Sequence, residues 1–253
     1  MAQVETDPIA RRTMTIFFLV DTSGSMSGAK IGSVNSAIEE VIPELQDIAK
    51  DNIESDLKVA VLKFSTNTEW VNPDEAIEVE NFVWEDIPGQ LIGLTAMGAA
   101  FRELNSKLSR SALMQQINGS FEPAIILLTD GFPTDEWERG LNELKENKWF
   151  TNAIRIAIAI GPDADRVPLE AFTGNSEAIF DAKNAKQLKE LIKLIAVTSS
   201  MIGSKSRGIG DGKSSEETES KSDEVISKVN EKVEELQSAP ESSDDWSDGD
   251  EFF

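Results

Sequence analysis

Cysteine and histidine are both absent from this chain of 253 residues. Without cysteine the protein can form neither disulfides nor cysteine-based zinc sites, and we expect a reducing, intracellular setting. Without histidine it lacks both the usual general base and the imidazole that commonly binds metals. A Ser-His-Asp hydrolase is therefore excluded.

Positive charge is scarce, because 24 Lys and Arg residues face 46 Asp and Glu residues and leave a net charge of -22. A protein that binds nucleic acid needs a basic footprint, so we predict no nucleic-acid partner. Arg11 and Arg12 before an apolar run superficially resemble a secretory signal, but Asp21 ends that run too early. No stretch reaches about 18 uninterrupted apolar residues, so we predict no membrane partner. Together with the reducing setting expected from the lack of cysteine, this leads us to predict a cytoplasmic location.

The stretch Asp21 to Met26, Asp-Thr-Ser-Gly-Ser-Met, carries most of the information about function. It follows the apolar run Met14 to Val20, which is typical of a strand buried on both faces, and it precedes a helical pattern. Ligands bind at such strand-to-helix turns in open α/β sheets. The oxygens of Asp21, Ser23 and Ser25 can converge on a hard cation such as Mg2+, Mn2+ or Ca2+. Alternatively, Asp, Ser and Gly occur here only because turns and helix caps favour them.

Two further loops favour the metal interpretation. Thr95 lies in Gly-Leu-Thr-Ala-Met-Gly at positions 93 to 98, just before a second helical pattern. Asp130 ends the apolar run Ala124 to Thr129 and is followed by Gly131. We expect all three loops to meet at one edge of the sheet. The candidate metal ligands are Asp21, Ser23, Ser25, Thr95 and Asp130.

Together these three motifs resemble the metal-ion-dependent adhesion site of von Willebrand factor A (vWA) domains, and the resemblance covers residues 13 to 200. It implies that Ser23, Ser25 and Thr95 are hydroxyl ligands, and that Asp21 and Asp130 bind the metal directly or through water. The stretches 127 to 135, Leu-Leu-Thr-Asp-Gly-Phe-Pro-Thr-Asp, and 93 to 98 look most like bacterial TerY-type members, which are linked to tellurite resistance and stress. The cysteine-rich C-terminal module of some TerY-type relatives is not matched here.

Alternating strand and helix patterns predict an α/β fold with a doubly wound, mostly parallel, Rossmann-like sheet and one antiparallel edge strand. For three of the helices we predict where they begin or end, or how they are interrupted. The first, from Gly28 to Lys50, should be kinked or split by Pro43. The second should span 96 to 117, and the third should run from Asp135 to Lys148 with Thr134 or Asp135 as its cap.

We divide the chain into a flexible leader (1–12), a vWA domain (13–203) and an acidic low-complexity tail (204–253). The tail holds six basic and fifteen acidic residues, a composition typical of disorder. Apolar residues at helical spacing predict a short amphipathic helix at about 222–237, and Trp246, Phe252 and Phe253 lie among acidic residues. We interpret the segment as a solvated tail. The alternative is a peptide that docks in a partner groove with a basic rim.

The function predicted from these features is a metal-dependent protein-binding module and not an enzyme. Neutral hydroxyl ligands leave a divalent ion electrophilic, so an Asp or Glu carboxylate of a partner protein would complete its coordination. The TerY-type resemblance implies protein kinase and phosphatase partners, and hence a scaffold or regulator of bacterial stress or phospho-signalling.

Two alternatives to this function stay open at the level of sequence. One is a Mg2+-dependent phosphoryl-transfer enzyme, which would need Lys or Arg near the phosphate, whereas the site loops offer only Lys30. The other is an assembly component in which the metal is purely stabilising.

Overall fold

The computed structural model describes residues 11–52, 55–89, 92–114, 119–162, 164–205 and 220–237. The strands are β1 (Arg12–Asp21), β2 (Ser55–Phe64), β3 (Thr68–Trp70), β4 (Ile77–Glu78), β5 (Ala124–Thr129), β6 (Ile154–Ile160) and β7 (Ile179–Ala182). The helices are α1 (Ala29–Asp51), α2 (Met97–Lys107), α3 (Trp137–Lys145), α4 (Lys148–Thr151), α5 (Arg166–Thr173), α6 (Ala185–Gly203) and α7 (Lys221–Gln237).

One sheet in the order β3-β2-β1-β5-β6-β7 organises the domain, and β4 also pairs with β2. Strands β2, β1, β5, β6 and β7 run parallel to one another, whereas β3 and β4 run antiparallel to β2. The predicted fold class is confirmed. Its antiparallel edge consists of two short pieces separated by a segment that contains Pro73, which cannot donate a hydrogen bond to the sheet.

Strand β1 lies between β2 and β5 and is buried on both faces. Ile16, Phe18 and Val20 pack into the core formed with α1 and α6. Phe17 and Leu19 point the other way into the core formed with α2 and α3. The period of two along the strand thus divides one apolar run between two cores, which explains why the run shows no polar alternation.

Helix α1 runs without interruption through Pro43, so the predicted split is wrong. Proline removes the donor to the carbonyl four residues earlier, at Glu39. Both Pro43 and Glu39 are exposed, so water can satisfy that carbonyl.

Helix α2 ends at Lys107, ten residues before the predicted end. The chain then folds back, with the amides of Ser109 and Leu113 both donating to the Lys107 carbonyl. Leu113 is buried in this turn. The sequence therefore keeps an apolar residue at helical spacing although the helix has ended, and for this reason the predicted helix was too long.

Helix α7 lies on the domain, although we expected the acidic segment to be solvated or to bind a partner. Val225 and Val229 are fully buried in the core that contains α1 and α6. Lys221 Nζ donates to the carbonyl of Gly203 at 2.7 Å, and Asn230 Nδ2 donates to the carbonyl of Glu177 at 3.2 Å. None of the helices in the described ranges combines the length and apolarity needed to span a membrane.

Candidate metal centre

The carboxyl ends of β1 and β5 bring two of the sequence motifs together. In the parallel register of these strands Val20 aligns with Leu128, so the next positions, Asp21 and Thr129, stand side by side. Thr129 Oγ1 donates a hydrogen bond of 2.5 Å to Asp21 Oδ2. Asp130 is the next residue, so both carboxylates lie at the carboxyl ends of the central strands.

Asp21 is fully buried and has both carboxylate oxygens occupied. Oδ1 accepts the Ser23 amide at 2.8 Å, and Oδ2 accepts the Thr129 hydroxyl. Burial raises the pKa of Asp21 from 3.8 to about 6, hydrogen bonds from Thr129 and Ser23 oppose the rise, and the negative charge of Asp130 adds to it. A carboxylate that ionises with this difficulty is stabilised by a nearby cation.

The second carboxylate closes a chain of hydrogen bonds across the site. Ser23 Oγ and Ser25 Oγ lie 3.1 Å apart, and Ser25 Oγ donates to Asp130 Oδ1 at 2.8 Å. Lys30 Nζ, from the first turn of α1, contacts Asp130 Oδ2 at 2.5 Å. The Asp130 side chain is inaccessible to solvent, whereas about a quarter of the Lys30 side chain is exposed, at 26%. Lys30 therefore neutralises one of the two charges.

Thr95 is held in place through its backbone. Its amide donates to Thr134 Oγ1 at 3.1 Å, and the Thr134 amide donates back to the Thr95 carbonyl at 2.9 Å. The loop of Thr95 also contacts the first motif, because the Gly24 amide donates to the Gly93 carbonyl at 3.3 Å. All five predicted ligands thus belong to loops that meet at one sheet edge.

Gly131 shows that oxygens from two loops and one strand end surround a common space. A Cβ atom at this position would lie 3.1 Å from Thr95 Oγ1, 3.6 Å from Ser25 Oγ and 3.7 Å from Asp21 Oδ2. Any other residue would place its Cβ atom among these oxygens. The donor set contains only hydroxyl and carboxylate oxygens, which suits a hard divalent cation. The residues therefore fit a metal of this class.

Asp135 supports the site in a way that the sequence did not reveal. We expected Thr134 or Asp135 to cap α3, but Asp135 caps α2, accepting the amides of Gly98 at Oδ1 and Ala99 at Oδ2, both at 2.9 Å. Helix α3 has no side-chain cap and ends at Lys145, before the predicted end at Lys148, and Asn147 caps the separate helix α4.

Sequence reasoning also missed Thr129 and Gly131 as functional residues. Their only signal was their position on either side of Asp130. That position could have suggested a residue that orients Asp21 and a residue that leaves space. Within the described ranges, no three acidic side chains lie close enough together to hold a metal ion. A metal site here would therefore need the hydroxyl oxygens as well.

The fold and the site define a class: a doubly wound α/β domain with an oxygen-lined site where the carboxyl ends of β1 and β5 meet. The family model of the von Willebrand factor type A domain matches residues 15–194, and the chain belongs to that family. No curated protein matches the chain.

Solved structures share the fold at low identity. Proximal thread matrix protein 1 from the mussel byssus, with a zinc-occupied MIDAS motif, has a TM-score of 0.57 at 17% identity and covers 76% of this chain and 48% of its own. A von Willebrand factor type A protein from Catenulispora acidiphila has a TM-score of 0.54 at 17% identity, with coverages of 75% and 43%. The pilus adhesin SpaC from Lactobacillus rhamnosus GG has a TM-score of 0.57 at 16% identity, with coverages of 76% and 30%. This chain spans less than half the length of each.

Proposed function

We propose that the protein is a metal-dependent protein-binding module whose site takes a divalent cation, Mg2+, Mn2+ or Ca2+, and a carboxylate from a protein partner. The observation that carries the proposal is the space beside Gly131, bordered by oxygens of Thr95, Ser25 and Asp21. The zinc in the mussel protein's adhesion site supports a divalent ion here.

Each site residue has a defined task in this proposal. Ser23, Ser25 and Thr95 offer neutral hydroxyl oxygens, and Asp21 and Asp130 offer negative charge directly or through water. When bound, the cation supplies a Lewis acid for an external carboxylate. Thr129 orients Asp21 through its hydrogen bond.

A binding function is favoured over phosphoryl transfer because the basic side chain of the site loops is already paired with a carboxylate and is not available to a phosphate. Such chemistry needs Lys or Arg at the transferred group. Lys30 is the basic residue of the site loops, and Asp130 already engages it. We therefore propose no enzymatic activity.

The TerY-type motifs at 93–98 and 127–135 support a more specific role. We propose a cytoplasmic scaffold or regulator in bacterial stress or phospho-signalling, with a protein kinase and a phosphatase as partners. Capture of those enzymes in Mg2+ but not in EDTA is the expected result.

The metal proposal is tested by Thr95→Val, Ser23→Ala and Asp130→Ala. Calorimetric titration with Mn2+ should show weakened binding in all three, and the rise in melting temperature caused by Mn2+ should shrink with it. A ligand that binds only the folded state stabilises it by about 2.7 kcal/mol at 100 times its Kd.

Thr22→Val is the matched control, because the Thr22 hydroxyl donates to the Phe64 carbonyl at 3.2 Å instead of facing the ligand set. This variant should bind Mn2+ like the parent protein. Unchanged titrations in all three site variants would remove the metal from the mechanism.

A further inference from the structure

Exposed apolar side chains are concentrated beside the metal centre. Leu94 directly precedes Thr95, and Phe132 lies two residues after Asp130; they are 56% and 62% exposed. Ile92, on the same loop as Leu94, is 91% exposed. We call these three residues the apolar rim. They make up half of the large apolar residues that are exposed in the described part of the chain. Their shared position beside the ligand loops favours an interaction surface here.

A ligand that complements both the metal and the apolar rim needs two features: a carboxylate to bind the cation and a large apolar side chain next to it. Basic residues are missing from 92–99 and 130–135, and Lys30 is bonded to Asp130. Arg102 contacts Asp135 at 3.9 Å, so it too is paired with an acidic side chain, and the bound metal is the main attraction for an acidic ligand here. Binding should depend strictly on the cation.

The chain itself contains a segment with both features. Residues 244 to 253 read Asp-Asp-Trp-Ser-Asp-Gly-Asp-Glu-Phe-Phe, with five acidic and three aromatic residues. Carboxylates directly precede aromatics at Asp245-Trp246 and Glu251-Phe252. A carboxylate on the metal would bring its aromatic neighbour over the rim, because consecutive Cα atoms are about 3.8 Å apart.

We propose that this acidic-aromatic segment, residues 244–253, docks on the metal centre and apolar rim of its own chain. The inference rests on the proposed function, because the cation holds the carboxylate. In this arrangement the segment occupies the site until a partner displaces it. A tethered ligand has an effective concentration of about millimolar, so the partner must bind more tightly than the tail or be more abundant.

The length of the connection permits this docking. Helix α7 lies at the amino ends of the strands, since Lys221 contacts the Phe121 ring just before β5 and Asn230 bonds to Glu177 just before β7. The metal centre is at the opposite edge, separated by the height of the sheet, roughly 23 Å for the seven residues of β6. Fourteen residues lead from Gln237 to Glu251, and an extended chain of that length spans roughly 46 Å.

The experiment uses the full chain with Ser243→Cys, which creates a unique cysteine in a protein that has none. A nitroxide at this position reports the mobility of the segment by its spectral line shape. We expect a mobile label in EDTA and an immobilised label in Mg2+. Neutralising all five carboxylates of 244–253 to Asn and Gln should abolish the immobilisation.

Phe132→Ser should also abolish or sharply reduce the immobilisation, whereas Met201→Ser, an exposed apolar position on α6, serves as the control and should leave it unchanged. Mg2+ titration of every labelled protein separates this inference from the proposed function. Metal binding with an equally mobile label in Mg2+ and EDTA overturns docking and leaves the metal module intact. Failure to bind Mg2+ overturns both.

Two other outcomes would also refute docking within one chain. Immobilisation that appears only as protein concentration rises would show that a second copy supplies the segment. Immobilisation that persists in the neutralised variant would show that the carboxylates do not bind the metal.

Discussion

Replacing Asp21 by asparagine isolates the cost of placing a charge at the site before any metal binds. Asparagine keeps the shape of the side chain. Its carbonyl can accept the Ser23 amide, and its amide can donate to the Thr129 hydroxyl, which already accepts the Gly131 amide at 3.2 Å. The substitution therefore removes a buried charge and keeps the Ser23 bond, while the bond with Thr129, which donates to Asp21 in the parent protein, reverses its direction.

The magnitude follows from the pKa of Asp21, which burial raises from 3.8 to about 6. Each pKa unit corresponds to about 1.4 kcal/mol, so ionised Asp21 costs the folded protein about 3 kcal/mol. Between pH 4 and 6 the folded state keeps a proton that the unfolded chain releases. The contribution of Asp21 to the free energy of unfolding therefore falls as pH rises through this window, and the loss persists at pH 7.

We expect metal-free Asp21→Asn to match the parent protein near pH 4 and to exceed its unfolding free energy by about 3 kcal/mol at pH 7. Urea unfolding at a series of pH values measures this difference, because titrating groups away from the site affect both proteins alike. Mg2+ should stabilise the parent protein only. A variant that is less stable than the parent at pH 7, or a difference independent of pH, would refute the electrostatic reasoning.

Three further substitutions test the surroundings of the site. Gly131→Ala places a methyl 3.1 Å from Thr95 Oγ1 and should abolish Mn2+ binding in calorimetry. Gly32→Ala is the control, because there is open space around that position, and it should bind Mn2+ normally. Equal titrations of the two variants would contradict the proposed metal-binding space. Asp135→Ala removes the cap of α2 and should cost about 1–2 kcal/mol in urea unfolding, so an unchanged midpoint would argue against capping. Val229→Asp buries a charge under α7 and should destabilise the protein by about 3 kcal/mol or more; unchanged stability would show that α7 does not belong to the folded unit.

The order of elements could be predicted because the central strands β1, β5 and β6 are short apolar runs, each followed by a helix with one apolar face. Residues Met14 to Val20 and Ala124 to Thr129 show this clearly, and both are central strands. Polar residues directly after them indicated the loops of the site. Local pattern was sufficient for these central strands, but it failed after Lys107, where buried Leu113 continues the helical spacing in a turn.

Contacts between distant segments could not be predicted in the same way. Asp135 looked like a cap for the helix that follows it, but in three dimensions the amides of Gly98 and Ala99 are its partners. The pairing of Lys30 with Asp130 joins residues 100 positions apart. Helix α7 was expected from its apolar spacing, yet only the structure shows that its own domain covers that face.

The hydrogen bonds around Thr134 and Asp135 have a mechanical consequence. Thr95 and α2 are fastened to the segment after Asp130 at four points, and Gly140 of α3 lies so close to Gly98 that a Cβ there would come within 2.4 Å of its carbonyl oxygen. Thr95 cannot shift relative to Asp21 without carrying α2, and α3 must follow. If a cation binds as proposed, a shift of Thr95 on binding would therefore move α2 and α3 together.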